Sequence, residues 1–324
     1  VTQKKTIGLV GCGQFCYSTI AYFLAFSKKA NLMWCFDKNI DAAKSLAKSY
    51  GIKKYSDQTY YEDEKCDVVY ISTYHSSHCE YAVKYLRSGS DVYIEKPICT
   101  DWEQLKLLID CKEKTKKNIF VGYNRPFSPG ISRIKEKLTS KELPFTMSCF
   151  ITGHFLEEDH WYRNEDEGTR ICGNLGHWID LSVYMLKCKK KEIANIDINI
   201  SYSDISTPSD NINIALTTSN RDIVVITFST RGDPFEGVNE TINFQQGDLI
   251  AKIDDHRKTE IWIKEKKYSY TNWRKDVGHK KALLQPFTVE NRRSWDEIVL
   301  STKLMLTITD MVKNGSKYYN FKVS

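Results

Sequence analysis

A glycine-rich turn between an apolar run and a helical pattern constrains this sequence most. Residues 6–10 (TIGLV) are a short apolar run typical of a buried strand, and residues 11–16 (GCGQFC) follow directly. An apolar helical pattern then begins near Phe15. A strand, a G-x-G turn and a helix in this order are typical of a dinucleotide-binding unit. The sequence therefore predicts a parallel sheet near its start.

The residues of this turn have distinct expected roles. Gly11 permits the tight turn, and Gly13 lets a pyrophosphate approach the backbone at the positive end of the helix dipole. Cys16 takes the third glycine position, where a small residue is tolerable because that position governs helix–strand packing. Asp37 ends the second strand, 21 residues after Cys16. An acid there binds ribose hydroxyls and repels a 2′-phosphate, so NAD is favoured, although the adjacent Lys38 leaves NADP open.

The rest of the first third alternates between strand and helix patterns, which implies parallel pairing through right-handed crossovers. Thr100 and Glu103 have the spacing of a capping box, which predicts that Thr100 begins the fourth helix. Further strands are predicted at 31–36, 68–71, 91–94 and 119–121.

The pattern changes after Gly122, and short strands separated by turn residues then dominate, which favours an antiparallel sheet. A helix is predicted at 175–186, and a long terminal helix is predicted to begin at Glu290 and end at Lys313. We therefore predict a two-domain α/β protein, with a Rossmann domain at 1–125 and an α+β domain at 126–324. The second domain is expected to contain a large, mostly antiparallel open sheet.

Two short motifs carry candidate acid–base chemistry. Glu95, Lys96 and Pro97 end the fourth strand, where the carboxyl ends of parallel strands face a ligand. A partly buried lysine there can donate a proton. His177 and Asp180 lie on one helix face, and the carboxylate can orient the imidazole. Taken alone, the first motif is common surface sequence and the second is more often a structural pair.

These motifs together resemble the Gfo/Idh/MocA family, named for glucose–fructose oxidoreductase and inositol dehydrogenase. Matching stretches also occur at 71–78 (ISTYHSSH), 122–129 (GYNRPFSP), 160–164 (HWYRN) and 278–279 (GH). The resemblance covers nearly the whole chain. Some of these stretches are similar to branches associated with nucleotide-sugar or cyclitol oxidation.

The resemblance implies a role for each matching residue. Lys96 and His177 would handle the proton of the reacting hydroxyl, and Asp180 would position the histidine or the substrate. The cofactor would be bound by Gly11, Gly13, Gln14, Phe15, Asp37, Lys38, Ser72, Thr73, Tyr74, His78, Glu95, Lys96 and Asn124. The substrate would be bound by Lys96, Tyr123, Arg125, Trp161, Arg163, Asn174 and His177.

The sequence also departs from the family pattern. Tyr74 and His75 stand where members commonly have Pro-Asn. Many members have an acid three or four residues before the histidine, whereas this chain has Asn174 and Gly173. An amide binds a sugar hydroxyl but cannot take its proton. More of the acid–base work would then fall on Lys96 and His177, or the activity would be changed.

Composition narrows the partners. The net charge is +6, from 47 basic and 41 acidic residues that are interspersed, so we expect no nucleic-acid partner. No apolar run reaches the length of a membrane helix, and we expect no membrane association. His75, His78 and Cys79 have zinc-like spacing without a fourth ligand, so no metal is predicted. The 10 cysteines form no CxxC pair, which favours reduced thiols in a cytoplasmic protein.

The sequence thus predicts an NAD(P)-dependent oxidoreductase acting on a secondary hydroxyl or ketone of a sugar, nucleotide sugar or cyclitol. A homodimer or homotetramer is expected. Two alternatives remain at this point. One is a catalytically silent dinucleotide sensor that binds a protein partner, and the other is a related enzyme acting on a non-sugar ketone or imine.

Overall fold

A computed structural model describes most of the chain. The residues described are 3–58, 65–138, 142–189, 191–289 and 292–323. The chain groups into two compact units, the first formed by Val1–Tyr123 and His279–Ile298, and the second by Asn124–Gly278 and Val299–Ser324. The division into domains 1–125 and 126–324 remains a prediction.

The first unit contains a six-stranded parallel sheet in the order β3-β2-β1-β4-β5-β6. The central strands β1 and β4 are mostly buried, as is usual in parallel sheets connected by helices, and their sequences are mostly apolar. This order is the doubly wound one of the predicted Rossmann fold, which is confirmed. The strands are β1 (Lys5–Val10), β2 (Ala30–Phe36), β3 (Lys54–Ser56), β4 (Val68–Ile71), β5 (Asp91–Ile94) and β6 (Ile119–Val121).

Four helices connect these strands. A π-helical turn, Cys16–Ile20, precedes the first of them. Helix α2 begins after Asn39, whose side chain accepts a hydrogen bond from the Asp41 N–H at 3.0 Å. The helices are α1 (Ala21–Ala25), α2 (Ile40–Tyr50), α3 (His78–Arg87) and α4 (Trp102–Thr115).

The predicted start of α4 was wrong by one residue. Asp101, and not Thr100, caps the helix, because its carboxylate accepts from the Gln104 N–H at 2.8 Å. The Gln104 side chain reaches back and accepts from the Thr100 N–H at 3.1 Å. The sequence therefore contains the capping-box spacing twice, offset by one residue, at 100–103 and at 101–104. The Asp101 carboxylate is the group that caps the helix.

The second unit contains a nine-stranded sheet in the order β14-β13-β12-β11-β7-β10-β9-β8-β15. Among the described strands, the neighbours β7 and β10 are parallel and the other pairs are antiparallel. This confirms the predicted second sheet. The strands are β7 (Thr146–Thr152), β8 (Asn195–Tyr202), β9 (Ile212–Thr218), β10 (Ile223–Ser229), β11 (Asn239–Gln246), β12 (Leu249–Asp254), β13 (Lys258–Ile263), β14 (Lys266–Thr271) and β15 (Tyr318–Lys322).

One face of this sheet carries the core of the second unit. In β12 buried and exposed residues alternate strictly, so one face is covered and the other is open. Helices α5 (Pro129–Glu136) and α6 (Gly176–Lys187) lie wholly within the second unit. The Trp178 ring of α6 lies 6.3 Å from the Phe228 ring of β10, which places α6 on the covered face.

Two helices lie between β14 and β15 in sequence. Helix α7 (His279–Leu283) belongs to the first unit, and α8 is Trp295–Lys313. The predicted start of α8 at Glu290 lies outside the described residues, and the predicted helix is longer than the observed one. The Ser294 hydroxyl accepts from the Glu297 N–H at 3.2 Å and so begins α8. Within the described ranges, no helix is long and apolar enough to cross a membrane.

Candidate functional site

The two glycines of the turn after β1 differ in how closely other atoms of the chain approach them. Gly11 has φ +86°, and a Cβ atom there would lie 2.4 Å from the Ser72 carbonyl oxygen. Gly13 differs, because no atom lies within 4 Å of the position that its Cβ would take. Gly11 is therefore required by the fold, whereas the hydrogen of Gly13 faces open space. The residue pattern predicts a pyrophosphate there, and the open space beside Gly13 leaves room for one.

Two buried cysteines flank this turn. Burial raises the pKa of the Cys16 thiol to about 12. A hydrogen bond with Cys35, followed by burial, raises the pKa of the Cys12 thiol as well. Both side chains are therefore neutral at physiological pH and do not repel an anion. Cys16 is 1% exposed inside the π-helical turn, where its small side chain packs in place of the third glycine.

Asp37 lies directly after β2 with its carboxylate fixed by the backbone. Its Oδ2 accepts from the Cys12 N–H at 2.7 Å, and its Oδ1 accepts from the Asn39 N–H at 2.8 Å. Each oxygen keeps a further lone pair. The arrangement suits a pair of ribose hydroxyls, while the negative charge opposes a 2′-phosphate. The neighbouring Lys38 is exposed.

The loop after β4 carries four predicted cofactor residues. Ser72 donates to the Gly11 carbonyl at 3.2 Å and so joins this loop to the glycine turn. Thr73 accepts from the Ser77 hydroxyl at 2.8 Å. Tyr74 is 61% exposed, whereas His78 is 1% exposed. Tyr74 is therefore placed to contact a ligand, and His78 lies beneath the surface.

His78 lies between two loops of the parallel sheet. Its Nδ1 is 2.6 Å from the Pro97 carbonyl oxygen, and its Nε2 is 3.1 Å from the Thr73 carbonyl oxygen. A neutral imidazole has one N–H group, so it donates to one of these carbonyls, and an imidazolium donates to both. The ring therefore joins the segments that follow β4 and β5. This is a supporting position, and direct cofactor contact for His78 remains a prediction.

Lys96 has a distinctive place at the end of β5. Every residue from 92 to 100 is buried except Lys96, which is partly exposed. Ligands of doubly wound sheets bind at the carboxyl ends of the strands. Lys96 is thus the accessible side chain of this segment at that edge, and its contact with a ligand remains a prediction.

Glu95 precedes Lys96 in sequence, and its side chain packs against Gly122 so closely that no larger residue fits at position 122. A Cβ atom on Gly122 would lie 2.5 Å from the Glu95 Oε1. The Tyr93 hydroxyl donates to the same oxygen at 3.2 Å. Burial raises the pKa of Glu95 to about 7, even though the charge of Lys96 acts in the opposite direction. The carboxyl group therefore changes charge near neutral pH, directly beside the lysine.

In the second unit, the π-helical turn Ile171–Leu175 leads into α6. These two adjoining segments carry two accessible polar residues. From 171 to 183 every residue is buried except Asn174 and His177. They are three residues apart, so they share one surface of this segment. Asp180 is fully buried. His177 and Asn174 are thus placed to meet a ligand, whereas Asp180 lies inside the unit.

Asn174 is held by a buried arginine. The Arg170 Nε donates to the Asn174 Oδ1 at 3.2 Å, and the Arg170 Nη1 donates to the Asp210 Oδ1 at 2.9 Å. Arg170 Nη2 donates to the His154 carbonyl at 2.8 Å. Arg163 pairs with the other oxygen of Asp210 at 3.0 Å. The guanidinium of Arg163 is therefore engaged within the unit, and its predicted substrate contact has no support from this geometry.

Arg125 and Asn124 form a buried network. Arg125 Nη2 lies 2.9 Å from Glu240 Oε1, and its guanidinium lies 4.7 Å from the centre of the Trp178 ring. Asn124 is 0% exposed, accepts from Arg125 at 3.1 Å and donates to the Val277 carbonyl at 2.9 Å. Burial opposes ionisation of Glu240, but Arg125 and His256 lower its pKa. This network supports the fold of the second unit.

The remaining predicted substrate residues have unequal exposure. Tyr123 is 2% exposed, while Trp161 is partly exposed and stacks on its neighbours. The Trp161 ring lies 4.3 Å from the Tyr162 ring in an edge-on arrangement. Trp161 is therefore available to a ligand in a way that Tyr123 is not. Across the described residues, no group of three or more His, Cys, Asp or Glu is arranged for a metal ion.

A family model describes the first unit. Residues 5–123 match the Gfo/Idh/MocA model, described as an oxidoreductase family with an NAD-binding Rossmann fold. Its span covers β1 to β6 together with the glycine turn, Asp37 and Lys96. Residues 5–123 therefore match the NAD-binding Rossmann domain of the Gfo/Idh/MocA oxidoreductase family. NAD is accordingly the cofactor class of this fold.

Individual Gfo/Idh/MocA-type relatives are distant. The scyllo-inositol 2-dehydrogenase (NAD(+)) of Bacillus subtilis is 26% identical over 137 residues, which is 42% of this chain and 40% of that protein. The chain spans between 39% and 46% of the length of the first curated relatives that it matches. The sequence likeness is thus concentrated in less than half of either partner.

Solved structures extend the fold match to nearly the whole chain. A dehydrogenase from Chromobacterium violaceum has a TM-score of 0.81 at 14% identity and covers 97% of this chain and 96% of its own. A mutant of the 3-ketoreductase KijD10 from Actinomadura kijaniata, in complex with TDP-benzene and NADP, has a TM-score of 0.75 at 16% identity, with 97% and 98% covered. At these identities the likeness establishes the fold of the Gfo/Idh/MocA type and no more.

Sequence reasoning missed two residues of the site. Arg170 was not singled out, although it stands four residues before Asn174, which is contact spacing on a helix. Asp210, 40 residues after Arg170, gave no local signal. Such long-range ion pairs follow from tertiary packing and not from local spacing.

Proposed function

We propose that this protein is an NAD(P)-dependent dehydrogenase or reductase. The reaction is hydride transfer between the nicotinamide and the secondary carbinol or ketone carbon of a sugar, nucleotide sugar or cyclitol. The observation that carries the proposal is the placement of Lys96. It is the accessible residue of a buried segment at the carboxyl end of β5, in a sheet whose glycine turn leaves room at Gly13.

The bound dinucleotide supplies the hydride chemistry. The protein supplies binding, orientation and proton transfer. Gly13 admits the pyrophosphate and Asp37 accepts from the ribose hydroxyls. Glu95 is buried beside Lys96 and holds a charge that depends on pH.

Two residues are proposed to move the proton of the reacting hydroxyl. Lys96 and His177 together handle this proton, which leaves the hydroxyl in the oxidative direction and returns to it in the reductive one. Asp180, on the same helix as His177, is a positioning residue in this proposal. Asn174 cannot take the proton because its side chain is an amide.

The proposal is tested with Lys96→Ala. The purified chain is titrated with NAD+ and NADP+, and turnover is followed at 340 nm with inositols, free sugars and nucleotide sugars. We expect Lys96→Ala to abolish turnover while dinucleotide binding survives. Lys106→Ala, an exposed lysine on α4, is the matched control. Turnover that persists in Lys96→Ala, or a wild-type chain that binds no dinucleotide, would overturn the assignment.

A catalytically silent dinucleotide sensor with a protein partner is the second candidate. One observation favours it: Arg170 holds the side-chain amide of Asn174, which stands three residues before His177. Tight dinucleotide binding without turnover across the whole panel, together with a co-purifying protein, would favour the sensor over the enzyme.

We also propose that the chain self-associates as a homodimer or homotetramer through the open face of the second sheet. Phe150, Ile223 and Ile250 are 53%, 42% and 49% exposed on this sheet. Burying such side chains against a second copy is favourable. Light scattering coupled to size exclusion gives the oligomer mass, and Phe150→Glu is expected to reduce it. A monomeric wild-type protein would contradict this.

A cytoplasmic location is proposed from thiol chemistry. None of the ten cysteines, all of which the structure describes, forms a disulfide, and nine of them are buried. Reduced thiols in this number suit a reducing compartment. Fractionation of cells that express the protein checks the location.

A further inference from the structure

The side-chain amide of Asn174 has a fixed orientation. A guanidinium nitrogen only donates, so the atom that faces the Arg170 Nε is the amide oxygen, at 3.2 Å. The amide nitrogen lies on the opposite side of the same planar group. Among the residues that the structure describes, this nitrogen has no hydrogen-bond acceptor. The side chain is partly exposed, whereas Arg170 is 1% exposed.

Arg170 is itself held by the unit and does not adjust easily. Its Nη1 pairs with Asp210 at 2.9 Å, and its Nη2 donates to the His154 carbonyl at 2.8 Å. Asp210 is held from its other side by Arg163 at 3.0 Å. The hydrogen bond to Asn174 is charge-assisted, so it is stronger than one between neutral groups. Withdrawal of charge through the amide oxygen also strengthens the amide N–H groups as donors.

We infer that Asn174 is a specificity-determining residue that offers only hydrogen-bond donors to the substrate. The substrate then presents an oxygen without a proton, a carbonyl or a carboxylate, where it meets Asn174. A hydroxyl is the poorer partner there because its own proton finds no acceptor on this side chain. The inference deepens the proposed function and rests on it, since it concerns the substrate of the same site.

The geometry separates this chain from one with a carboxylate at the same position. An aspartate would also be bound by Arg170, but its second oxygen would accept and not donate. The polarity of the contact beside His177 would therefore be reversed with almost no change in size. Arg170 acts through Asn174 and is a positioning residue.

The test uses two matched pairs of probes on the full chain saturated with NAD+. Each pair differs in one group: scyllo-inosose against myo-inositol for the carbonyl, and D-glucuronate against D-glucose for the carboxylate. Dissociation constants are measured by calorimetry in a Lys96→Ala background, where turnover is expected to stop. We expect one acceptor-bearing probe to bind about tenfold more tightly than its hydroxyl partner, which is the effect of one good hydrogen bond.

Variants decide whether Asn174 causes the preference. Asn174→Asp is expected to abolish or reverse it, and Asn174→Ala to remove it. Asn314→Asp adds the same charge at an exposed site after α8 and is expected to change nothing. The neutral carbonyl pair separates hydrogen bonding from simple charge repulsion. The inference is overturned if the preference in Asn174→Asp stays within twofold of the preference measured with Asn174 intact. It is also overturned if the protein with Asn174 intact shows no preference.

Failure of the inference and failure of the proposed function are distinguishable. The binding of NAD+ is measured first, and its absence overturns the proposed function alone. The side-chain amide resonances of Asn174 are then followed with the same probes. A shift with an acceptor probe, and none with its hydroxyl partner, supports the inference independently of turnover, whereas equal shifts overturn it.

Discussion

The backbone N–H of Cys12 donates to the Asp37 carboxylate at 2.7 Å, which joins the glycine turn after β1 to the end of β2. The same carboxylate accepts from the Asn39 N–H just before α2. One side chain therefore fixes the turn expected to hold a pyrophosphate and the strand end expected to hold a ribose. We therefore expect dinucleotide binding to depend on both ends of this contact.

Asp37→Asn tests the preference for NAD. The substitution removes the negative charge that opposes a 2′-phosphate and keeps one acceptor oxygen. We expect the dissociation constant for NAD+ to rise about tenfold, as for one lost charged hydrogen bond, while that for NADP+ falls or stays constant. Fluorescence titration measures both. Asp41→Asn, an exposed acid in the first turn of α2, is the control and should leave their ratio unchanged.

Gly11→Ala and Gly13→Ala form a matched pair with opposite outcomes. Gly11→Ala is expected to unfold the first unit or lower its stability by several kcal/mol, because the added methyl meets the Ser72 carbonyl oxygen at 2.4 Å and φ is +86°. Gly13→Ala meets nothing within 4 Å, so stability should stay near wild type. Its dinucleotide binding should weaken, because the methyl occupies the pyrophosphate side. Thermal unfolding and NAD+ titration separate the two effects, and equal stability losses would contradict the assignment.

Glu95 should make stability depend on pH. Because burial raises its pKa from 4.5 to about 7, the native state holds the proton more tightly than the unfolded chain. Its stabilising effect is complete below about pH 4.5 and is lost as the pH rises to about 7. Relative to Glu95→Gln, the wild type should lose on the order of 3 kcal/mol of unfolding free energy over this interval. Urea unfolding at several pH values measures it.

The matched control for Glu95 is Glu103→Gln, at an exposed position in the first turn of α4. This variant should follow the wild-type pH dependence. A wild-type curve that is flat relative to Glu95→Gln between pH 4.5 and 7 would show that Glu95 ionises as it does in the unfolded chain.

Arg125→Met should destabilise the second unit strongly. Glu240 is 0% exposed and pairs with Arg125 at 2.9 Å, so removal of the arginine leaves a buried carboxylate without this partner. We expect a loss on the order of 3 kcal/mol, with part of it recovered in the double variant with Glu240→Gln. The comparison is Arg257→Met, whose pair with Glu236 is solvent-exposed and should cost less than about 1 kcal/mol. Equal losses would contradict this role.

The Arg125–Glu240 pair should also make the stability of the protein depend on pH in the acid range. Arg125 and His256 lower the pKa of Glu240 in spite of burial, so its contribution to stability is present above the ordinary carboxyl pKa of 4.5. As the pH falls through the lowered native value, this contribution is lost. Acid unfolding of the wild type should therefore involve the second unit, and Glu240→Gln should flatten its pH dependence.

Local patterns were enough to predict much of the first unit. The glycine turn, Asp37 and the position of Lys96 at a strand end all follow from residues that are neighbours in sequence, because a parallel βαβ unit is built from consecutive segments. The short strand β3 and the strands β7 and β15 were not predicted. The strands β7 and β15 pair with strands distant in sequence, and this pairing decides whether such segments are extended, whereas β3 is a three-residue strand at the edge of the first sheet.

Side-chain environments needed the tertiary structure. In the sequence, the family resemblance implied that Arg125 and Arg163 bind the substrate. Their partners Glu240 and Asp210 come from strands or loops far along the chain, and burial commits the guanidinium groups to them. The raised pKa of Glu95 likewise follows from burial over Gly122 and not from its neighbours in sequence.

The sequence by itself determined the class of this protein: a strand, a glycine turn and an acid at the end of the next strand specify a dinucleotide-binding sheet, because backbone geometry permits few other uses of that order. Only the tertiary structure decided what each side chain is free to do. It left Lys96, Asn174 and His177 accessible in otherwise buried segments, and it turned the Asn174 oxygen toward Arg170. The physical reason is that exposure and hydrogen-bond direction are set by packing between distant segments, which no local pattern contains.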